Sequence, residues 1–173
     1  MSCDRIHPRE LAYCGLFGAA GLLMPLIFHL LHLGRLFMPM YLPLVALAYF
    51  VRPLPAALTA LVTPLLSGAV TGMPPFYPPV APMMAVELAL MAALIAAVRR
   101  RWPGSNEWLV LLPVLLLGRL LYVAMVYAVA RVIALPAGFL AGVSLLSGWP
   151  GLVLMVLVVP PLARGARSRR TTP

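Results

Sequence analysis

The chain has 173 residues, 63% of them hydrophobic, with a mean hydropathy of +1.01. A soluble domain is nearer half apolar, so too few polar residues are present to coat a water-soluble globule of this size. The formal charge of +9 comes from thirteen basic residues, all Arg, against four acids; in so apolar a chain this points to basic loops at a membrane surface rather than to nucleic acid.

In chain order, residues 1–10 carry Asp4, Arg5, Arg9 and Glu10, which reads as a short polar segment and does not resemble a cleaved leader. Six apolar spans follow: Leu11 to Leu31, Leu36 to Phe50, Leu54 to Val70, Pro82 to Val98, Trp108 to Val132 and Phe139 to Leu162. They are long continuous runs, without the alternating polarity and regular turn signals of a transmembrane barrel. The expected fold is therefore an all-α membrane protein, a single six-helix transmembrane domain over residues 11–162. A basic tail, residues 163–173, is expected to fray and to touch anionic headgroups. The second span is the weakest: fifteen residues rise about 22 Å, short of a hydrocarbon core of about 30 Å, and it contains Pro39 and Pro43.

The arginines set the expected orientation. With both termini cytoplasmic, the inner segments hold Arg5, Arg9, Arg52, Arg99, Arg100, Arg101, Arg164, Arg167, Arg169 and Arg170, while only Arg35 and Arg131 lie outside and Arg119 falls within a span. That bias is the positive-inside pattern. It predicts a multi-pass protein of the cell's inner (plasma) membrane.

Between spans three and four, five prolines fall within the nine residues Pro74 to Pro82. Backbone that cannot form helix survives near lipid only where it leaves the hydrocarbon, is buried in protein or lines a cavity. The segment has two readings: a stiff connector whose prolines end two helices, or the wall of a small-molecule site. Met73, Phe76 and Tyr77 suit an apolar or ring-shaped ligand, and Gly72 permits close backbone approach. Glu87 follows, about one and a half turns into span four. An acid at that depth carries function by default; its two compatible roles are an ion pair with Arg119, stapling span four to span five, and direct ligand contact. Arg119 and Tyr122 share a helix face, a pair able to bind a carboxylate or phosphate and stack a ring. Tyr127 follows them.

The remaining candidates are weaker. His29 and His32 have helical spacing but lack further ligands for a metal site, so they read as interfacial or loop-anchoring residues. Arg35 reads as an interface anchor or a lid contact for an anionic ligand. Gly15 and Ala19 form a small-xxx-small pair where another helix can approach, either within the bundle or from a partner membrane protein. Cys3 and Cys14 read as reduced thiols. Paired intramembrane acids, a zinc-protease helix, a phosphate-binding loop and a Ser-His-Asp set are all missing.

Several segments together carry a family resemblance. Phe28-His29, Gly34-Arg35, Met38-Pro39-Met40-Tyr41-Leu42-Pro43, Pro64-Leu65-Leu66-Ser67, Thr71-Gly72-Met73-Pro74-Pro75, Met84, Glu87-Leu88, Gly118-Arg119-Leu120, Tyr122, Gly148-Trp149-Pro150-Gly151 and Pro160-Pro161-Leu162 resemble the S component of an energy-coupling factor (ECF) transporter. The resemblance runs from about Leu11 to Leu162 and is most specific from span two to the start of span four. Tyr41 stands where the family pattern usually has His, and Ala48-Tyr49 where it often has Gly.

The resemblance implies six helices with both ends inside and a non-catalytic subunit. It implies a vitamin or related micronutrient bound near the outer face, under the loops joining spans one and two, three and four, and five and six. The substrate-binding set it suggests is Arg35, Thr71, Met73, Phe76, Tyr77, Glu87, Arg119, Tyr122 and Trp149. The expected partners are the ligand, membrane lipids, a transmembrane T component and two cytoplasmic ATPases that would hold ATP and Mg. No nucleic acid, metal or cofactor is expected on this chain. In the family the S component is thought to topple to carry ligand inward, and span one docks on the T component through small residues; Gly15 and Ala19 match best, where the family usually has Ala at both. The alternatives are a self-contained proton-coupled carrier working through Glu87, a membrane enzyme acting on a lipid-linked group, and an assembly protein with purely structural prolines.

Overall fold

The computed structural model describes residues 7–30, 39–132 and 149–171, with side chains over 7–28, 39–132 and 150–165. Six α-helices and no strand occur among them: α1 Pro8–Leu30, α2 Tyr41–Leu47, α3 Pro53–Thr71, α4 Val80–Arg101, α5 Glu107–Val132 and α6 Trp149–Thr171. Four are long and apolar enough to cross a membrane, α1 through Pro8–Phe28 and α3, α4 and α5 over their whole lengths; α6 adds a shorter apolar stretch, Pro150–Gly165.

Local chemistry sets the helix ends. Pro53 opens α3, where its missing N–H is no loss. Gly72 closes the helix in the left-handed region at φ 74°, its N–H donating to the Gly68 carbonyl at 3.0 Å. Arg99, Arg100 and Arg101 occupy the last turn of α4, where cations suit the carbonyl end of the helix dipole. At the start of α5, the Asn106 side-chain oxygen accepts from the Trp108 N–H at 3.2 Å, a capping contact.

The seven residues of α2 rise about 10 Å, too little to cross a bilayer. This element is a buried plug. Met40, Tyr41, Leu44, Val45, Ala46, Leu47 and Ala48 are all buried, and the helix packs against α1, α3, α4 and α6. Where the sequence suggests a short span over 36–50, the described helix starts only at Tyr41 and ends in a turn at 48–50; residues 31–38 lie outside the described residues. Short helix at membrane depth is tolerated where protein surrounds it. A second difference is the tail: α6 stays helical to Thr171 rather than ending near Leu162. Ala and Arg are good helix formers, and arginines favour a helix C-terminus. The part of span six before Gly148, Phe139 included, lies outside the described residues.

The other helices invert the pattern of a soluble protein. Leu16, Leu23, Val62, Leu109, Leu116 and Leu157 are exposed, whereas Thr63, Ser67, Glu87, Glu107 and Arg119 are buried. Apolar surface on this scale calls for lipid as its solvent.

Two ion-pair clusters close one end of the bundle. Glu10 of α1 accepts from the Arg52 backbone N–H at 2.9 Å and from its Nε at 2.9 and 3.1 Å. Beside this pair, Tyr13, Phe17 and Phe50 stack with centroids 5.3 to 6.5 Å apart. Glu107 of α5 lies 3.6 Å from Arg99 of α4 and 3.2 Å from Arg164 of α6, and its carbonyl accepts from the Tyr49 hydroxyl at 3.3 Å. Glu107→Gln keeps the shape and removes the charge that joins three helices. We expect a loss of about 1–2 kcal/mol, because the acid is buried while Arg164 is half exposed. Thermal unfolding in detergent, followed by circular dichroism, measures it.

Candidate functional site

At the opposite end the proline loop folds back on α3. The Ser67 hydroxyl donates to the Met73 carbonyl at 2.7 Å. Thr71 Oγ1 lies 2.8 Å from the Ser67 carbonyl, 3.1 Å from the Met73 carbonyl and 3.2 Å from the Met73 N–H, which it accepts. The Ala81 N–H reaches back to the Pro75 carbonyl at 3.0 Å. Gly68 makes this fold-back possible: a Cβ there would sit 2.7 Å from the Pro74 carbonyl oxygen and 2.9 Å from Phe76. The Met73-Pro74 and Tyr77-Pro78 peptide bonds are cis. Met73, Phe76 and Tyr77 are exposed, Tyr77 most of all at 78%.

Beneath this loop, about 10 Å along α4 from its first residue, lies a buried polar cluster drawn from three helices. The Tyr41 hydroxyl, on the first residue of α2, donates to Glu87 Oε2. Glu87 is 2% exposed, Tyr41 4% and Arg119 6%. The Arg119 guanidinium interacts electrostatically with Glu87 and sits over the Tyr122 ring, 5.9 Å from its centroid. Tyr122 is half-buried.

Close helix contact sets the alignment. A Cβ on Gly118 would meet the Met91 side chain, with Cγ 2.8 Å away and Sδ nearer still, so glycine lets α5 approach α4 this closely with Met91 in its present place. Met91 is one turn beyond Glu87 on α4, and Gly118 precedes Arg119. The Gly118–Met91 contact thereby brings α5 against α4 one turn from the acid, where the long Arg119 side chain reaches it.

Of the residues the sequence singles out, the structure brings Glu87, Arg119 and Tyr122 together. It joins Thr71, Met73 and Phe76 in the loop above them and leaves Tyr77 pointing outward. Arg35 and His32 lie outside the described residues, as does Cys3; Trp149 is described only as the backbone start of α6, and the His29 side chain is likewise outside. Tyr41 is the partner that the analysis of residue patterns did not assign to Glu87. Its signal was available, since it is one of two tyrosines in the otherwise apolar second span.

The small residues of α1 divide between two faces. A Cβ on Gly21 would touch Thr63 and Leu44, and one on Gly18 would touch Thr59, so both glycines face the bundle. Gly15 has nothing within 4 Å of its Cβ position, and both Gly15 and Ala19 are exposed. Only 11% of the apolar window of α1 is buried, against 33% to 50% for α3, α4 and α5.

No protein-family model, curated protein or solved structure matches the chain. A carboxylate and a guanidinium flanked by two phenols can hold a polar or charged group inside an apolar bundle. Among the described residues, no group of three His, Cys, Asp or Glu side chains is placed to hold a metal ion.

Proposed function

We propose that this chain is the substrate-binding membrane subunit, an S component, of an ATP-driven ECF-type importer. It binds a vitamin or related micronutrient near the outer face of the plasma membrane. In this reading the chain crosses the membrane six times with both termini cytoplasmic. The arginine-rich end is the inner one, as the positive-inside pattern requires. A transmembrane T component and two cytoplasmic ATPases complete the importer, with ATP and Mg held by the ATPases and none on this chain.

The observation that carries the reading is the Tyr41–Glu87–Arg119–Tyr122 cluster lying under the pinned proline loop. Ionisable groups inside a membrane bundle are costly and mark ligand or ion pathways. Thr71, Met73 and Phe76 supply the wall or lid above the cluster, and Arg35, Tyr77 and Trp149 complete the proposed substrate-binding set. The open Gly15–Ala19 face of α1 supports docking to the T component.

The competing reading, a proton-coupled carrier, is favoured by one feature: a buried carboxylate hydrogen-bonded to a phenol is a possible proton site. Reconstitution into proteoliposomes separates the two. The importer reading expects ligand uptake only when the ATPase module and ATP are present, unchanged by collapsing the proton gradient. Uptake by this chain alone, abolished with the gradient, assigns it to the carrier class.

A further inference from the structure

The arginine-rich end holds more cation than its ion pairs use. Its described charges are Arg9, Arg52, Arg99, Arg100, Arg101 and Arg164 against Glu10 and Glu107. Glu10 is engaged by Arg52, and Glu107 by Arg99 and Arg164. Of the three consecutive arginines that end α4, Arg99 turns inward, donating to the Ser105 carbonyl at 2.7 Å. Arg100 and Arg101 are exposed.

These two arginines sit at the head of a lipid-facing stripe. Val86, Leu90, Leu94, Ala97 and Arg101 are all exposed on α4, and their spacing of four, four, three and four places them on one helix face. The stripe is apolar for its whole length and ends in a guanidinium. Immediately beyond it, Trp102 is 59% exposed, with Arg101 5.8 Å from its ring centroid. The turn from Arg101 to Ser105 borders an open cleft of about 610 Å³.

We infer that the α4–α5 turn is a binding site for an anionic phospholipid. Its phosphate is held by Arg100 and Arg101, its glycerol region lies against Trp102, and an acyl chain runs along Leu94 and Leu90. Arginine forks match phosphate oxygens, and tryptophan favours the headgroup level of a bilayer. The apolar stripe leading up to the exposed Arg100–Arg101 pair and the open cleft beside Trp102 selects a lipid over a soluble phosphate or an acidic protein segment, neither of which covers both parts.

Native mass spectrometry of the purified full chain tests this, using phosphatidylglycerol and phosphatidylcholine of matched chains in equal amounts. The expected result is retention of phosphatidylglycerol by the wild type and a fall in that preference of about 25-fold in R100Q/R101Q, from about a fivefold contribution per arginine. R9Q, which removes an exposed arginine at the same end, keeps the preference. Equal loss in R9Q, or an unchanged preference in R100Q/R101Q, overturns the site in favour of diffuse charge attraction. Displacement of the lipid by inorganic phosphate or by polyglutamate overturns the lipid assignment.

Discussion

Replacing Glu87 by Leu is expected to destabilise the protein by about 3–5 kcal/mol, the cost of breaking a buried charge interaction from one side. The substitution leaves the Tyr41 hydroxyl without its acceptor and removes the carboxylate on which Arg119 acts. Arg119→Leu is expected to cost a similar amount for the reciprocal reason. The informative variant carries both changes. Residues in one buried network do not add, and an apolar replacement of both charges is often tolerated. E87L/R119L is thus expected to recover a large part of the summed loss. Tyr41→Phe removes a single hydrogen bond and costs about 1–2 kcal/mol. Thermal or denaturant unfolding in detergent reads the whole cycle. Strictly additive losses from E87L and R119L mean that the acid and the guanidinium act independently.

The second large effect lies at Gly118. A valine there drives its Cβ into the Met91 side chain, so either Met91 repacks within the core or α5 draws back from α4. Overpacking of this kind costs about 1–3 kcal/mol. Where α5 draws back, Arg119 shifts relative to Glu87, and ligand affinity is expected to fall together with stability. Met91→Ala opens room for the new side chain. The G118V/M91A protein is expected to be more stable than the sum of its two single changes implies. If G118V leaves stability unchanged, the glycine contact is not what aligns the two helices.

The four long helices were legible because each is a long apolar run with a distinct stop. The predicted span Leu54 to Val70 falls one residue short of α3 at each end, and Trp108 to Val132 starts one residue after α5 does. Pro53, Gly72 and the Trp102-Pro103-Gly104 turn are punctuation that acts locally. The short α2 was less legible, because its boundaries depend on packing against four other helices rather than on its own pattern. The course of α6 past Leu162 was missed because a run of arginines reads as a solvated tail, although arginine continues a helix readily.

Site residues followed the same division. Glu87 and Arg119 stood out because charge in an apolar run is rare. Counting residues from each helix end placed them about one turn apart in depth, a gap that two long side chains can bridge. Tyr41 escaped pairing with Glu87 because it lies 46 residues away in sequence, on an element whose register only the folded bundle sets. The loop hydrogen bonds from Ser67 and Thr71 to Met73 were hidden likewise, since side-chain bonds to backbone depend on how the chain doubles back at Gly68.

Titration of the purified wild-type protein against a panel of water-soluble vitamins, by calorimetry in detergent, tests the central claim most directly. The account predicts saturable one-to-one binding of one panel member, with E87Q and R119Q weakening it markedly and R9Q leaving it unchanged. Failure of every candidate to bind the folded protein, or binding untouched by both cluster substitutions, contradicts it.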